Sequence, residues 1–505
     1  MRKSSSIKMT SLGLVSALLL SGCAVMSSEP VEVPEEIAPV GFTEYYEQQV
    51  DFESCGKQLF CADIKAPMDW NNPAGESISI AAVYREADSK PQGFVLFNPG
   101  GPGSSGYDWV KDSSEFLGSQ TLRTNFNIMG FDPRGVGKSS SVQCLTDSEY
   151  DEFLYGVSGF ELGSDEDLTA AKDAIADFAG KCLEKTGELL AHVDTVSAAK
   201  DMDLLRAVLD QPKLNYLGYS YGSFLGTTYA TLFPDKVGQF VLDGAIDPTV
   251  SDSEQTLFQI QAFEKALVAF LENCEQFADC PFSGFVPADL DRIKEFFLEL
   301  EAKPLRTSSG RELTIWAAIT GLIMPLYSES YWPLLASAFD EAFIGTGDVF
   351  LSLADFYNDR GDDGKYSTNL IAANYAIGCA DSRASTNMFD MKRQNEILLE
   401  AAPTLGRYWQ FGGLRCESWP FPVASSPTDY SSVGAPTIMV IGTTGDPATP
   451  YSQAQALANN ILADAFLVTY NGEGHTIYGQ QVSCIDNVVD KFFLKGELPA
   501  KDPNC

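Results

Sequence analysis

Residues 214–232 constrain this chain more tightly than any other stretch. A short apolar run at 214–218 (LNYLG) meets Gly218-Tyr219-Ser220-Tyr221-Gly222, and helical periodicity follows from 221 to 232. A serine between two glycines, with a strand before it and a helix after it, sits on a turn too sharp for side chains at the glycine positions. Ser220 Oγ is then held out at a helix amino end, where free N–H groups and the helix dipole favour developing negative charge. A turn serine with no chemistry is the competing reading, and the flanking strand and helix weigh against it.

A serine hydroxyl needs a base within hydrogen-bond reach, usually an imidazole that a carboxylate holds in place. The chain has only two histidines, His192 and His475. His475 lies in Gly472-Glu473-Gly474-His475-Thr476, just after an expected strand at 465–470, whereas His192 precedes the serine and reads as a surface or capping residue. The order serine, acid, histidine of α/β hydrolases selects His475. Between the two, an expected strand at 436–442 runs into Gly442-Thr443-Thr444-Gly445-Asp446-Pro447, which makes Asp446 the candidate acid. Asp243 and Asp247 follow the strand after the nucleophile helix and read as turn-forming aspartates. For the oxyanion, Asn98-Pro99-Gly100-Gly101-Pro102-Gly103 follows the strand at 93–98. The Gly101 N–H, with Gly100 as fallback, and the Tyr221 N–H are the candidate donors. No phosphate-binding GxxxxGK[ST] signature occurs, and the chemistry calls for no cofactor.

Further strands are expected at 76–84 and 126–131, and helices over 198–209 and 483–494, so short buried strands alternate with helices, as in a mostly parallel, doubly wound sheet. From about 250 the rhythm changes to amphipathic helices, such as 253–272 and 287–302, with no convincing buried strand before sheet rhythm returns. The expected division is a hydrolase core in two parts, 41–249 and 431–505, interrupted by a helical cap at 250–430.

The amino terminus reads as an export signal. Arg2, Lys3 and Lys8 precede an apolar run from Leu12 to Leu20, too short for a stable membrane span. The run ends in Leu20-Ser21-Gly22-Cys23, which resembles a lipobox, so residues 1–22 are expected to be removed and Cys23 lipidated. Residues 23–40, rich in Pro, Glu and Ser, read as a flexible tether to a membrane, the outer one if the source is Gram-negative. Ten further cysteines remain, an even number that suits disulfides in an exported protein. Pairing neighbours in order joins Cys55 to Cys61, Cys144 to Cys182, Cys274 to Cys280, Cys379 to Cys416 and Cys484 to Cys505. The spacings support no metal site. A net charge of −35 makes nucleic acid an improbable partner.

Taken together, NPGGPGSSG (98–106), GFDPRGVGKSS (130–140), YLGYSYGSFLGTTYATLFPDKV (216–237), GTTGDPATP (442–450) and GEGHT (472–476) resemble the prolyl- and tripeptidyl-aminopeptidase group of α/β hydrolases, especially its secreted bacterial tripeptidyl branch. The resemblance covers the sheet domain and touches the helical insertion only loosely. It implies an α/β-hydrolase fold and puts the triad on Ser220, Asp446 and His475. It also implies release of short units from peptides with a free amino terminus, with cap carboxylates such as Asp381 neutralising the substrate ammonium. Asp381 also reads as an exposed loop acid. The alternatives are a carboxylic ester hydrolase on the same fold and a noncatalytic envelope binding protein.

Overall fold

The computed structural model describes residues 38–505. The export signal, Cys23 and most of the tether lie outside the described residues. The strands are β1 (Glu53–Gly56), β2 (Leu59–Pro67), β3 (Ser77–Arg85), β4 (Phe94–Asn98), β5 (Asn127–Phe131), β6 (Leu214–Tyr219), β7 (Val237–Asp243), β8 (Leu305–Arg306), β9 (Glu312–Leu313), β10 (Ile438–Gly445) and β11 (Ala465–Glu473). Nine of them form one sheet in the order β1-β2-β3-β5-β4-β6-β7-β10-β11. From β5 to β11 the pairs are parallel, while β3 runs antiparallel to both β2 and β5.

Alternation along the strands divides the apolar residues between two faces. Leu96, Met129, Tyr216, Phe240, Leu242 and Val440 point to one side, where helices Thr195–Val208 and Tyr221–Leu232 cover them. Val95, Phe97, Ile128, Leu217, Val241 and Ile441 point to the other, under helices Gly106–Asp112 and Ser483–Lys495. Burial on both faces explains why these strands read as continuous apolar runs. A third apolar cluster, with Phe263, Phe270, Phe297, Leu322 and Phe339 among its members, belongs to the helices between β7 and β10.

Three features depart from the sequence reading. The β1–β2 hairpin extends the sheet by two antiparallel strands, and β1 is mostly exposed, so it carries little apolar pattern to read. Between β7 and β10 the chain is not wholly helical, because β8 and β9 form a two-residue ribbon. Finally, β10 runs on to Gly445 instead of stopping at 442, since pairing with β11 continues through Thr443 and, after a register shift, Gly445. The small polar residues there resemble a loop in isolation, and only the partner strand makes them a strand.

All ten cysteines of residues 38–505 are joined in sequence-neighbour pairs: Cys55–Cys61, Cys144–Cys182, Cys274–Cys280, Cys379–Cys416 and Cys484–Cys505. A buried ion pair fastens the loop after β5. Arg134, fully buried, donates from Nε and one terminal nitrogen to the two oxygens of Asp201, each at 2.7 Å. Its remaining donors reach the carbonyls of Pro67, Met68 and His192, and the Trp70 indole donates to Asp201. Every polar atom is satisfied, so removing one partner strands a charge in the interior. Asp201→Ala should cost about 3–5 kcal/mol of unfolding free energy in urea titrations. A loss under about 1 kcal/mol would contradict this account of the pair.

Candidate active site

Ser220 stands between β6 and helix Tyr221–Leu232 with φ +56° and ψ −123°, a region that non-glycine residues occupy only at a cost of about 1–3 kcal/mol. The surroundings hold it there. Its N–H donates to the Asp243 carbonyl at 2.9 Å, and its own carbonyl accepts from the backbone and hydroxyl of Ser223. The turn admits nothing larger than glycine at 218, where a Cβ would lie 2.4 Å from the Gly222 carbonyl oxygen.

The loop after β4 packs on this turn through Gly100, where a Cβ would lie 2.9 Å from Ser220 Cβ. The Gly100 N–H is taken by the Asn98 side chain at 3.0 Å, whereas those of Gly101 and Tyr221 have no hydrogen-bond partner among the described residues. The fallback donor is therefore already engaged, and the first choice is open.

His475 lies two residues past the end of β11. Its Nδ1 lies 2.9 and 2.8 Å from the two oxygens of Asp446, which is almost fully buried just beyond the end of β10. Asp446 also accepts the N–H groups of Ala448 and Thr449 and the Thr449 hydroxyl, so its orientation is fixed from within its own loop. The ionised carboxylate only accepts, so Nδ1 carries the proton and Nε2 is left with its lone pair. Nε2 is buried without a partner among the described residues. Burial opposes a charge on the ring, but the charge and hydrogen bond of Asp446 and the charge of Asp243 outweigh it, so the His475 pKa is raised above its ordinary value of 6.5.

A residue of the helical insertion also grips the histidine. Helix Ile315–Leu326 ends at Tyr327, whose carbonyl accepts the His475 N–H at 2.9 Å and whose ring meets the imidazole edge-on, 5.4 Å between centroids. No local signal marks Tyr327, because the contact joins residues 148 positions apart by the numbering. Thr449 was more legible, since a polar residue three positions after a loop aspartate is a familiar local hydrogen-bond pair.

Asp381 closes helix Leu370–Asp381, and its oxygens accept from the Thr195 N–H at 2.7 Å and the Thr195 hydroxyl at 2.6 Å. Since the threonine proton goes to Asp381, the Tyr221 hydroxyl donates to Thr195 Oγ1 in turn. This chain runs from the helical insertion to the residue after the serine. Burial, with the charges of Asp194 and Asp252 nearby, pushes the Asp381 pKa up to about 7 despite the Thr195 bonds. His192 takes no part in the site: it caps the short helix Gly187–Ala191, its N–H donating to the Leu189 carbonyl at 2.9 Å while its own carbonyl accepts from Arg134. The reading of Asp243 as a turn former is corrected. It ends β7 with no exposed surface, and its side chain accepts the N–H groups of Ile477 and Tyr478 beyond His475, so it ties two strand ends together instead of turning its own segment. No group of three or more His, Cys, Asp or Glu among the described residues is arranged to hold a metal ion.

This geometry can be compared with known proteins. Residues 402–505 match a family described as TAP-like protein. The chain is 33% identical to serine protease Hip1 of Mycobacterium tuberculosis, over 97% of this chain and 95% of that protein. It is 35% identical to carboxylesterase B of the same species, over 88% of this chain and 86% of that protein. Tripeptidyl aminopeptidase of Streptomyces coelicolor is 28% identical, over 90% of this chain and 86% of that protein.

With only two histidines, an imidazole NMR titration is readily assigned. The His475 resonance should titrate with a midpoint above 6.5, and a His192→Gln variant should leave that curve in place. A midpoint below 6.5 would show that burial outweighs the two carboxylates.

Proposed function

Because the chain belongs to the α/β-hydrolase serine aminopeptidase family, the group of TAP-like proteins and serine protease Hip1, we propose that it is a serine exopeptidase cutting peptide bonds near a free amino terminus. Ser220 Oγ attacks the scissile carbonyl while His475 Nε2 takes its proton, and Asp446 holds the imidazole and stabilises the imidazolium. The oxyanion is held by the N–H groups of Gly101 and Tyr221. His475 returns the proton to the leaving amine, and water then hydrolyses the acyl-enzyme by the same steps. The observation that carries this reading is the pairing of a buried, doubly held Nδ1 with an unoccupied Nε2, on the sheet edge that bears the strained serine.

The choice of a free amino terminus rests on Asp381. A half-buried carboxylate whose pKa is pushed up to about 7 is paired with no cation among the described residues, and a substrate ammonium supplies one. Its hydrogen-bond link to Tyr221 supports a place beside the nucleophile. Residues 250–430 act in this reading as a cap that presents Asp381 and braces His475 through Tyr327. Export, removal of residues 1–22 and anchoring through a lipid on Cys23 place the enzyme in the cell envelope. The 35% identity to carboxylesterase B supports ester hydrolysis as the second reading.

A panel of free-amino peptidyl amides, their amino-blocked counterparts and short-chain esters separates the two. Free-amino peptides should be preferred, and Ser220→Ala should abolish turnover without lowering the unfolding midpoint. Asp381→Asn should raise KM for free-amino peptides about tenfold while leaving ester KM unchanged. A preference for blocked peptides or esters would overturn the exopeptidase reading. Mass spectrometry of the products from an unmodified oligopeptide gives the number of residues released.

A further inference from the structure

Asp243 is a fully buried carboxylate that the triad leaves unused. It sits between β6 and β10 at the carboxyl end of β7, paired in register with Tyr219 on one side and Ile441 on the other. Its oxygens hold the backbone at both reacting residues. The backbone carbonyl takes the Ser220 N–H, Oδ2 takes the N–H groups of Ile477 and Tyr478, each at 2.8 Å, and Oδ1 is buried with no partner among the described residues. Gly244, next in sequence, packs so tightly on the base that a Cβ there would lie 2.9 Å from His475 Cε1.

The segment it grips needs holding. Thr476, immediately after the base, has φ +58°, unfavourable for a β-branched side chain and sustained only when its neighbours are fixed. On one side the His475 N–H is bonded to Tyr327, and on the other Asp243 binds the next two N–H groups. No arginine or lysine among the described residues is paired with Asp243. The ionisable groups around it are His475 and Asp446 from the loops after β11 and β10, and Tyr219 of β6, whose hydroxyl is committed to the Tyr478 carbonyl. A second buried carboxylate charge therefore acts on the imidazole besides that of Asp446.

We propose that Asp243 is a second positioning carboxylate for His475. It clamps the backbone that carries the base and supplies negative potential that favours the imidazolium formed during proton transfer. The proposal rests on His475 being the base of the reading above. Burial raises the Asp243 pKa to about 6 against its two N–H bonds and the His475 charge, so it is ionised at neutral pH, where the clamp is strongest.

The test is Asp243→Asn, which retains a carbonyl oxygen for the two N–H groups and removes the charge. Two readouts are expected to move: the His475 imidazole titration shifts to lower pH, and kcat falls roughly tenfold or more with KM little changed. A purely structural aspartate would leave the titration where it is, so a variant with the wild-type midpoint and kcat would overturn the proposal. If the variant does not fold, the wild-type protein still decides. The amide protons of Ile477 and Tyr478 should shift with a common midpoint near pH 6 as Asp243 takes its proton, and flat amide shifts would overturn the proposal. Wild-type protein that turns over no peptide or ester would defeat the enzymatic reading instead, while both NMR titrations would still judge the clamp.

Discussion

The turn at Ser220 is the constraint on which the rest of the site depends. A serine at φ +56° persists only where strand, helix and neighbouring loops leave it no other conformation. Here β6 ends in the middle of a sheet buried on both faces, and the Ser220 N–H is spent on the last residue of β7. The same residue, Asp243, reaches across to the backbone after β11, while Asp446 at the end of β10 reaches the imidazole. Parallel strands bring their carboxyl ends to one edge, so residues far apart in sequence converge without any long-range signal beyond strand order.

The helices between β7 and β10 do more than cover that edge. Through the Tyr327 carbonyl they hold the backbone of His475, and through Asp381 they bond Thr195 and, beyond it, Tyr221. Movement of these helices is thus felt by both the base and the residue after the serine. The acidity of the chain also acquires a local meaning. Asp381 lies near Asp194 and Asp252 with no cation paired to it among the described residues, and Asp243 lies near a second carboxylate, Asp446, with His475 as the cationic group that offsets the two when protonated.

What the sequence made legible follows from where the information lies. The sharp turn was readable because Gly218, Ser220 and Gly222 encode it locally, with an apolar strand before and a helix after. Histidine scarcity and strand order then led to His475 and Asp446, which the structure joins at 2.8 Å. Gly101 over Gly100 was a choice between adjacent N–H groups, and only the Asn98 side chain, which takes the Gly100 donor, separates them. Tyr327 and Asp243 escaped the reading for a common reason. Each is tied to the His475 segment through backbone groups far away in sequence, which leave no local pattern, and Asp243 next to a glycine looks like a turn until the neighbouring strands are known. The β10 extension escaped because Gly442-Thr443-Thr444-Gly445 becomes strand only by pairing with β11.

The mechanism requires Ser220 to be a nucleophile activated by His475. Labelling the protein with a serine-directed phosphonate and mapping the adduct by peptide mass spectrometry tests it most directly. The account predicts one adduct per chain, on Ser220, formed at a rate that collapses in a His475→Ala variant whose fold is intact. An unlabelled Ser220, an adduct on another serine, or a rate indifferent to the loss of His475 would contradict it.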